Sequence, residues 1–162
     1  MVNQADCLRH LQKLNIKHEL VEHGAVYTIE EAMAEPALQG REEIKNLFIQ
    51  DDKGRRQYLV IMPGLKKLNL KTLAADLGEK KVRFCSGEKV ENMLGVKPGS
   101  VSLFCCLNPS SSHVKVIIDK DLYSLDEIGL HPIVNTATVF VTVDSLNDIL
   151  SSLSQEYALR DL

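Results

Sequence analysis

The strongest constraint on the fold of this chain is an apolar run that ends in a turn. Residues Lys45–Asp51 read KNLFIQD, and Asp52-Lys53-Gly54 follow, a sequence typical of a tight turn. Apolar residues alternate with other residues on both sides of this turn, at Leu47, Ile49, Leu59 and Ile61. Two such runs around a turn predict a β-hairpin with one buried face. Lys45 and Asn46 are therefore predicted at the start of its first strand, where a lysine usually reaches solvent.

Apolar spacing and capping residues predict five helices. Residues 3–14 carry an apolar stripe at helical spacing. Thr28 and Glu31 fit a capping box at the start of a short second helix. The other three helices are predicted from Asn69 to a terminating Gly78, from a Ser86 cap to Gly95, and from Asp144-Ser145 through an apolar face of Leu146, Ile149, Leu150, Leu153 and Tyr157.

The remaining apolar segments predict further strands. These lie at residues 17–23, 82–85, 101–107, 114–119 and 127–143, the last interrupted at 130–136. The segments 101–107 and 114–119, joined by a polar loop, predict a second hairpin. Because strands outnumber helices and neighbouring strands pair as hairpins, we predict an α+β fold with a mixed, largely antiparallel sheet and surrounding helices. We expect one domain over residues 1–162.

Composition excludes several classes of protein. Apolar residues make up 44% and charged residues 25% of the 162 residues, as in ordinary globular domains. A net charge of −3 argues against a protein that coats nucleic acid, although not against one that handles a single RNA end. We find neither a signal peptide nor a membrane span, and expect a cytoplasmic protein without membrane contact. The four cysteines and five histidines lack metal-ligand spacing, so we expect reduced, mostly buried thiols, no metal and no cofactor.

Common catalytic motifs are absent, and three polar places in apolar surroundings remain. The first is the pair Lys45-Asn46. The second is the turn Gly99–Ser102, where consecutive backbone N–H groups could bind an anion or a carbonyl oxygen. The third is His131, in a loop with Asn135 and Thr136. Each has an ordinary structural explanation by itself, and together they define a candidate pocket.

Four strings in this order resemble a known family. They are EHGAVYTIEEA (22–32), KNLFIQD (45–51), GVKPGSV (95–101) and HPIVNTAT (131–138). The chain resembles the YbaK and prolyl-tRNA synthetase-associated editing domains, and within them the free-standing ProX branch. The match spans nearly the whole chain. The resemblance implies a barrel-like sheet and an aminoacyl-tRNA deacylase that hydrolyses the ester of alanine on proline tRNA.

The resemblance also implies roles for individual residues. Lys45 and Asn46 would position the tRNA 3′ end, and His131 would line the amino-acid pocket. The loop formed by Gly99, Ser100, Val101, Ser102 and Leu103 would bind the ester carbonyl, and Thr28 and Asn135 would contact the substrate. The 2′-hydroxyl of the tRNA would assist the attacking water, which would explain the lack of a clear protein base. The resemblance implies mischarged proline tRNA as a partner and leaves prolyl-tRNA synthetase open as a second one.

One departure from the family pattern keeps alternatives open. The family loop usually reads Gly-x-x-x-Pro, whereas this chain has Leu103 in the place of the proline. Leucine restores an N–H group and frees φ, so the loop could be less rigid. The alternatives are a deacylase for cysteine, serine or threonine esters, and a non-catalytic module that binds a tRNA end or a synthetase.

Overall fold

The computed structural model describes residues 1–162 and contains five α-helices and eight β-strands. The helices are α1 (Gln4–Lys13), α2 (Ile29–Ala34), α3 (Leu70–Asp76), α4 (Gly87–Leu94) and α5 (Ser145–Ser152). The strands are β1 (Glu19–Glu22), β2 (Ile44–Asp51), β3 (Gln57–Pro63), β4 (Val82–Phe84), β5 (Lys115–Asp119), β6 (Glu127–Leu130), β7 (Ala137–Thr142) and β8 (Tyr157–Arg160). Short 3₁₀ helices connect several of them.

The strands form two sheets. One has five strands in the order β4-β2-β3-β5-β8, and the other has three in the order β1-β7-β6. The central β2–β3 hairpin is antiparallel, with Lys45 opposite Met62 and Asn46 opposite Ile61. Four strand pairs are antiparallel, and the pairs β3–β5 and β5–β8 are parallel. The predicted α+β class with a mixed, largely antiparallel sheet is confirmed, but neither sheet closes, so "barrel-like" describes it only loosely.

The central strand β2 is buried on both faces. Ile44 and Phe48 belong to the larger hydrophobic core, whereas Ile49 belongs to a smaller core together with Leu73 of α3. Leu47 packs against this smaller core. The alternation read from the sequence therefore assigns the side chains of β2 to two different cores rather than to a core and solvent.

The predicted strand 101–107 and the second hairpin are wrong. Residues Leu103–Leu107 form a 3₁₀ helix instead. The Ser102 hydroxyl accepts a hydrogen bond from the Phe104 N–H (3.3 Å), and the Ser102 carbonyl accepts one from the Cys105 N–H (3.0 Å). These local hydrogen bonds replace those of a strand ladder. The run is buried on every side and correspondingly apolar, so its composition resembles that of a buried strand. Strand β5 pairs instead with β3 and β8, in parallel.

The C-terminal helix begins where predicted but is shorter. Helix α5 ends at Ser152, and Leu153 is extended (φ −86°, ψ 153°). Tyr157, predicted on the helix face, starts β8. Between them, buried Gln155 donates from Nε2 to the Cys106 carbonyl at 2.9 Å, which turns the chain back toward the sheet. The Asp144 side chain makes no capping hydrogen bond.

The predicted ends of the two middle helices are confirmed. Asn69 caps α3 and Ser86 caps α4, each accepting a hydrogen bond from a backbone N–H three residues on. Gly78 and Gly95 follow these helices with φ of 73° and 72°, a conformation that favours glycine. No helix combines the length and the apolar character needed to cross a membrane.

Candidate functional site

A cavity of about 230 Å³ lies where the start of β2 meets three other segments of the chain. Those segments are residues 26–32, residues 98–101 and His131 just after β6. Its apolar lining comes from Val26, Ile29, Ala32, Ile44, Leu47, Pro98 and Val101. Its polar lining comes from Tyr27, Thr28, Glu43, Lys45, Asn46 and His131, with Gly99 completing the wall. The cavity is smaller than typical drug-sized pockets of about 300–1,000 Å³, so it suits a small chemical group.

The cavity is built against an unpaired edge of β2. Strand β4 pairs only with Ile49–Asp51, so residues 44–47 have a neighbouring strand, β3, on one side only. Alternation places Asn46 on the face shared by Ile44 and Phe48, and Lys45 on the opposite face with Leu47. Residues 43–47 nevertheless all line the cavity, which lies along this unpaired edge of the strand.

Lys45 is the only lysine or arginine that lines the cavity, and it is half-buried. Burial lowers the pKa of Lys45, and the nearby Glu30 carboxylate acts in the opposite direction. No ion pair within 4.0 Å includes it. Its ammonium group therefore remains available to an anionic or carbonyl group of a ligand.

Three buried polar atoms of the cavity residues have no hydrogen-bond partner in the protein. They are Glu43 Oε1, Asn46 Oδ1 and His131 Nδ1. A buried polar atom without a partner costs about 1–3 kcal/mol, and proteins rarely concentrate that cost without a use for it.

His131 follows β6 and is held in a segment with unusual backbone geometry. Burial lowers the pKa of its imidazole, so the ring is neutral near pH 7. Two residues on, Ile133 has a φ of 70°, a left-handed conformation that is strained for a β-branched residue. Such strain of about 1–3 kcal/mol is found most often beside ligand sites.

The loop from Gly99 to Leu103 contributes backbone donors. The N–H groups of Gly99, Val101, Ser102 and Leu103 donate no hydrogen bond within the protein, whereas that of Ser100 donates to the Lys97 carbonyl at 2.9 Å. Of these five residues, Gly99 and Val101 line the cavity. The Tyr27 ring packs on Gly99, where an added Cβ would lie 3.3 Å from its Cδ1.

Ser102 and Leu103 of this loop belong to the buried interior rather than to the cavity lining, and Ser100 is half-buried outside that lining. Ser102 and Leu103 are completely buried, and Leu103 packs into the larger core at the first position of its 3₁₀ helix. Proline is well tolerated at the first position of a helix, so this is a natural place for the family's proline. In this chain the buried Leu103 side chain and the hydrogen bonds accepted by Ser102 anchor the loop.

Thr28 and Asn135 differ in their relation to the cavity. Thr28 lines it, and its hydroxyl accepts a hydrogen bond from the Glu31 N–H at 3.1 Å, which leaves the hydroxyl proton free to donate. Asn135 does not line it; its carbonyl accepts the Val26 N–H at 3.1 Å and so supports the wall from outside. The structure therefore brings together six of the ten predicted residues: Thr28, Lys45, Asn46, Gly99, Val101 and His131.

The sequence analysis missed Glu43. Its side chain is 8% exposed although it follows two other charged residues, Arg41 and Glu42, in a run typical of a solvated turn. Burial raises the pKa of the Glu43 carboxyl, and nearby His23 acts in the opposite direction. No pattern in the sequence signals this burial, which depends on segments distant along the chain.

The cysteines take no part in this cavity. All four are free thiols, and none lines it. Burial raises the pKa of Cys7 and Cys106 to about 12 and that of Cys85 to about 11, which makes them poor nucleophiles at neutral pH. The structure contains no group of three or more histidine, cysteine, aspartate or glutamate residues arranged to hold a metal ion.

Comparison with known proteins places this chain in a family. Residues 23–149 match the model of the aminoacyl-tRNA editing domain, and the chain belongs to this family. It is 38% identical to the prolyl-tRNA editing protein ProX of Acetoanaerobium sticklandii, over 94% of this chain and 93% of that protein. It is 31% identical to the prolyl-tRNA synthetase associated domain-containing protein 1 of Danio rerio, over 82% of this chain and 72% of that protein.

A solved structure shares the fold. It is described as a proposed trans-editing enzyme for prolyl-tRNA synthetase and has a TM-score of 0.71, with 22% sequence identity. The superposition covers 100% of this chain and 99% of that one. At this identity the similarity establishes the fold alone.

Proposed function

We propose that this protein is an aminoacyl-tRNA deacylase that acts in trans on proline tRNA mischarged with alanine. The observation that carries this proposal is a small cavity lined by Lys45 and by three residues with buried polar atoms that have no protein partner. The names of the relatives, a prolyl-tRNA editing protein and prolyl-tRNA synthetase associated proteins, support the choice of tRNA. In this proposal residues 1–162 act as one editing domain in the cytoplasm.

The reaction would be hydrolysis of the ester between alanine and the 3′ oxygen of the terminal adenosine. Water adds to the carbonyl carbon, the bond to the ribose oxygen breaks, and that oxygen leaves with a proton. The negative charge on the carbonyl oxygen needs donors already in place. The unpaired N–H groups of Gly99 and Val101 are suited to this role, because both residues line the cavity.

The polar side chains would hold the ester in register. Lys45 would contact the terminal phosphate or the aminoacyl carbonyl, and Asn46 would add a directional hydrogen bond. His131, neutral at pH 7, would orient the ester or the water through Nδ1. No residue here is a clear general base, so the 2′-hydroxyl of the tRNA would assist the water. Thr28 and the supporting residues Ser100, Ser102, Leu103 and Asn135 would keep the pocket in shape.

The cavity's size and lining support alanine as the amino acid removed. About 230 Å³ must hold both the ester and the amino acid, which favours a small side chain. One additional methylene changes discrimination in such a pocket by only about 10–200-fold. Cysteine, serine and threonine esters are therefore the competing substrates to test.

The test is release of the amino acid from alanyl-, cysteinyl-, seryl- and prolyl-tRNA(Pro) by the unmodified protein. We expect fast release of alanine, slower release of cysteine and serine, and none of proline above the spontaneous rate. A preference for one of the other small amino acids would retain the deacylase but change its substrate. Measurable binding of alanyl-tRNA(Pro) without turnover would instead support a non-catalytic binding module, and Leu103→Pro would then be the first substitution to examine.

A further inference from the structure

We propose that Glu43 recognises the free α-amino group of the aminoacyl ester, so that the site accepts only esters whose amino group is unblocked. This inference rests on the proposed deacylase function and adds a specificity-determining residue to it. The observation that carries it is a buried carboxylate in the cavity wall with an unpartnered oxygen.

Glu43 has the burial expected of a functional carboxylate rather than a surface one. The residue is only 8% exposed, and its Oε1 accepts no hydrogen bond from the protein. Fully buried glutamates are rare unless they are paired. A carboxylate kept in the cavity without a protein donor is therefore suited to a donor that the ligand supplies.

The position of Glu43 is fixed by its backbone. Its carbonyl accepts the Gly64 N–H at 2.8 Å, across the open end of the β2–β3 hairpin. A Cβ at Gly64 would lie 2.8 Å from that carbonyl oxygen and 3.2 Å from Ile29 Cδ1, so only glycine permits this approach. The strand end thus fixes the backbone from which the Glu43 side chain reaches the cavity.

The two charges of the cavity are kept apart. No ion pair within 4.0 Å includes Lys45 or Glu43. The imidazole of His23 lies near Glu43 and opposes the effect of burial on the pKa of Glu43. His23 is itself engaged, with Nδ1 on the Gly24 carbonyl at 2.7 Å and Nε2 on the Thr138 hydroxyl at 2.9 Å. Lys45 therefore remains available for the negative parts of a substrate, and Glu43 for a positive part.

The chemistry of an aminoacylated adenosine identifies that part. The phosphate and the ester carbonyl only accept hydrogen bonds, so a carboxylate repels them. The α-amino group donates, and it is cationic when protonated, which gives the stronger, charge-assisted bond. The 2′-hydroxyl is the competing donor near the ester, and it is neutral.

This arrangement has a consequence for substrate choice. An N-acylated ester, as in peptidyl-tRNA, has neither the charge nor the full set of amino hydrogens. It would leave the Glu43 carboxylate desolvated and without its partner, a loss that makes such sites highly selective. The deacylase would therefore remove single amino acids and leave peptidyl esters intact.

The test compares three forms of the substrate with the intact protein. They are alanyl-tRNA(Pro), N-acetylalanyl-tRNA(Pro) and lactyl-tRNA(Pro), in which a hydroxyl replaces the amino group. We expect kcat/KM to fall roughly tenfold to a hundredfold for both analogues, the range expected for losing a charge-assisted hydrogen bond. Because this comparison needs no variant, it does not depend on whether a substitution folds.

The variants assign the effect to Glu43. In Glu43→Gln we expect slower cleavage of alanyl-tRNA(Pro) and nearly unchanged cleavage of lactyl-tRNA(Pro), so that the preference for the amino group collapses. Glu42→Gln, an exposed neighbour, is the matched control and should retain the preference. A substrate ending in 2′-deoxyadenosine separates the competing donor; because the proposed reaction uses the 2′-hydroxyl, its affinity rather than its cleavage is measured, and Glu43→Gln should weaken its binding as it weakens that of alanyl-tRNA(Pro).

The outcomes separate this inference from the proposed function. Equal cleavage of all three esters by the unmodified protein would overturn the role of Glu43 and leave the deacylase standing. A Glu43→Gln effect on affinity that disappears with the 2′-deoxy substrate would overturn it too, by assigning Glu43 to the 2′-hydroxyl. No cleavage of any ester by the unmodified protein would overturn both.

Discussion

The two ends of strand β2 carry buried carboxylates in opposite circumstances. At the turn end, Asp51 is 2% exposed and accepts backbone hydrogen bonds from Arg55 (2.6 Å) and Arg56 (2.7 Å). At the cavity end, Glu43 is 8% exposed and Oε1 accepts none. Hydrogen bonds lower the pKa of Asp51, and the bond from the Arg56 N–H has the largest effect. Burial instead raises the pKa of Glu43. The protein satisfies one carboxylate for stability and leaves the other for a ligand.

The network around Asp51 extends this contrast. Arg56 also pairs with Glu79 (Nε to Oε1, 2.5 Å), and the Tyr58 hydroxyl donates to the same carboxylate at 2.7 Å. Asp51 and Glu79 therefore each have several donors. Such closed networks fix a turn, whereas a binding site must keep some of its acceptors unpaired.

The largest effect on stability should come from removing the satisfied carboxylate. Asp51→Ala leaves the N–H groups of Lys53, Arg55 and Arg56 without their acceptor. We expect thermal unfolding, followed by circular dichroism, to shift down by about 10 °C for a chain of this size. The folded variant should still deacylate its substrate, and an unchanged Tm would contradict the structural role given to Asp51.

A smaller loss should follow from crowding the backbone of Glu43. Gly64→Ala places a Cβ 2.8 Å from the Glu43 carbonyl oxygen, and the strand end must shift. We expect a loss of about 1–3 kcal/mol in the free energy of unfolding, together with slower deacylation. In the control Gly87→Ala the nearest atom is Pro98 Cγ at 3.4 Å, an ordinary contact, so stability should be retained. Full activity in Gly64→Ala would argue against a fixed Glu43.

Replacing each of two glutamates by glutamine should change the Tm in different directions. Glu79→Gln weakens the bonds to Arg56 and Tyr58, and we expect the Tm at pH 7 to fall by about 4 °C. Glu43→Gln removes a buried charge that has no protein donor, so the Tm should stay or rise by about 2 °C. Differential scanning calorimetry of both variants measures this, and a large loss in Glu43→Gln would mean that the carboxylate is structural.

The pH dependence of these effects should be the smallest signal. The pKa of Glu43 is raised on folding, so its ionisation destabilises the protein only as pH rises above the ordinary carboxyl value of about 4.3. The Tm advantage of Glu43→Gln should therefore be absent at pH 4, grow with pH, and then level off. The pKa of Asp51 is lowered, so the stability it provides is present above about pH 3.9 and lost as pH falls further. The Tm differences of Glu43→Gln and Asp51→Ala from the unmodified protein should therefore change with pH in opposite directions. A change in the same direction would contradict the contrast between the two carboxylates.

Local patterns predicted much of the fold and part of the site. Alternation located the β2–β3 hairpin, and the caps Asn69 and Ser86 located two helices, because these signals depend on residues close in sequence. The resemblance then predicted a common site for Lys45, Asn46 and His131, and all three line one cavity.

The failures have a shared physical origin in contacts between distant segments. The run 101–107 is buried on all sides, so its composition suits a strand or a 3₁₀ helix equally, and Ser102 decides between them. Strand β8 depends on its parallel pairing with β5 and not on its own pattern. Glu43 is charged and lies between charged and apolar neighbours, and its burial results from walls contributed by residues 26–32 and His131.

The most direct test of the account is single-turnover release of alanine from alanyl-tRNA(Pro), with enzyme in excess, for the unmodified protein and two variants. Lys45→Ala removes the only lysine or arginine of the cavity, and Lys17→Ala removes an exposed lysine before β1 as the control. The account predicts rapid release by the unmodified protein and by Lys17→Ala, and a rate at least about 100-fold lower for Lys45→Ala. Equal rates for all three proteins, or no release by any of them, would contradict it.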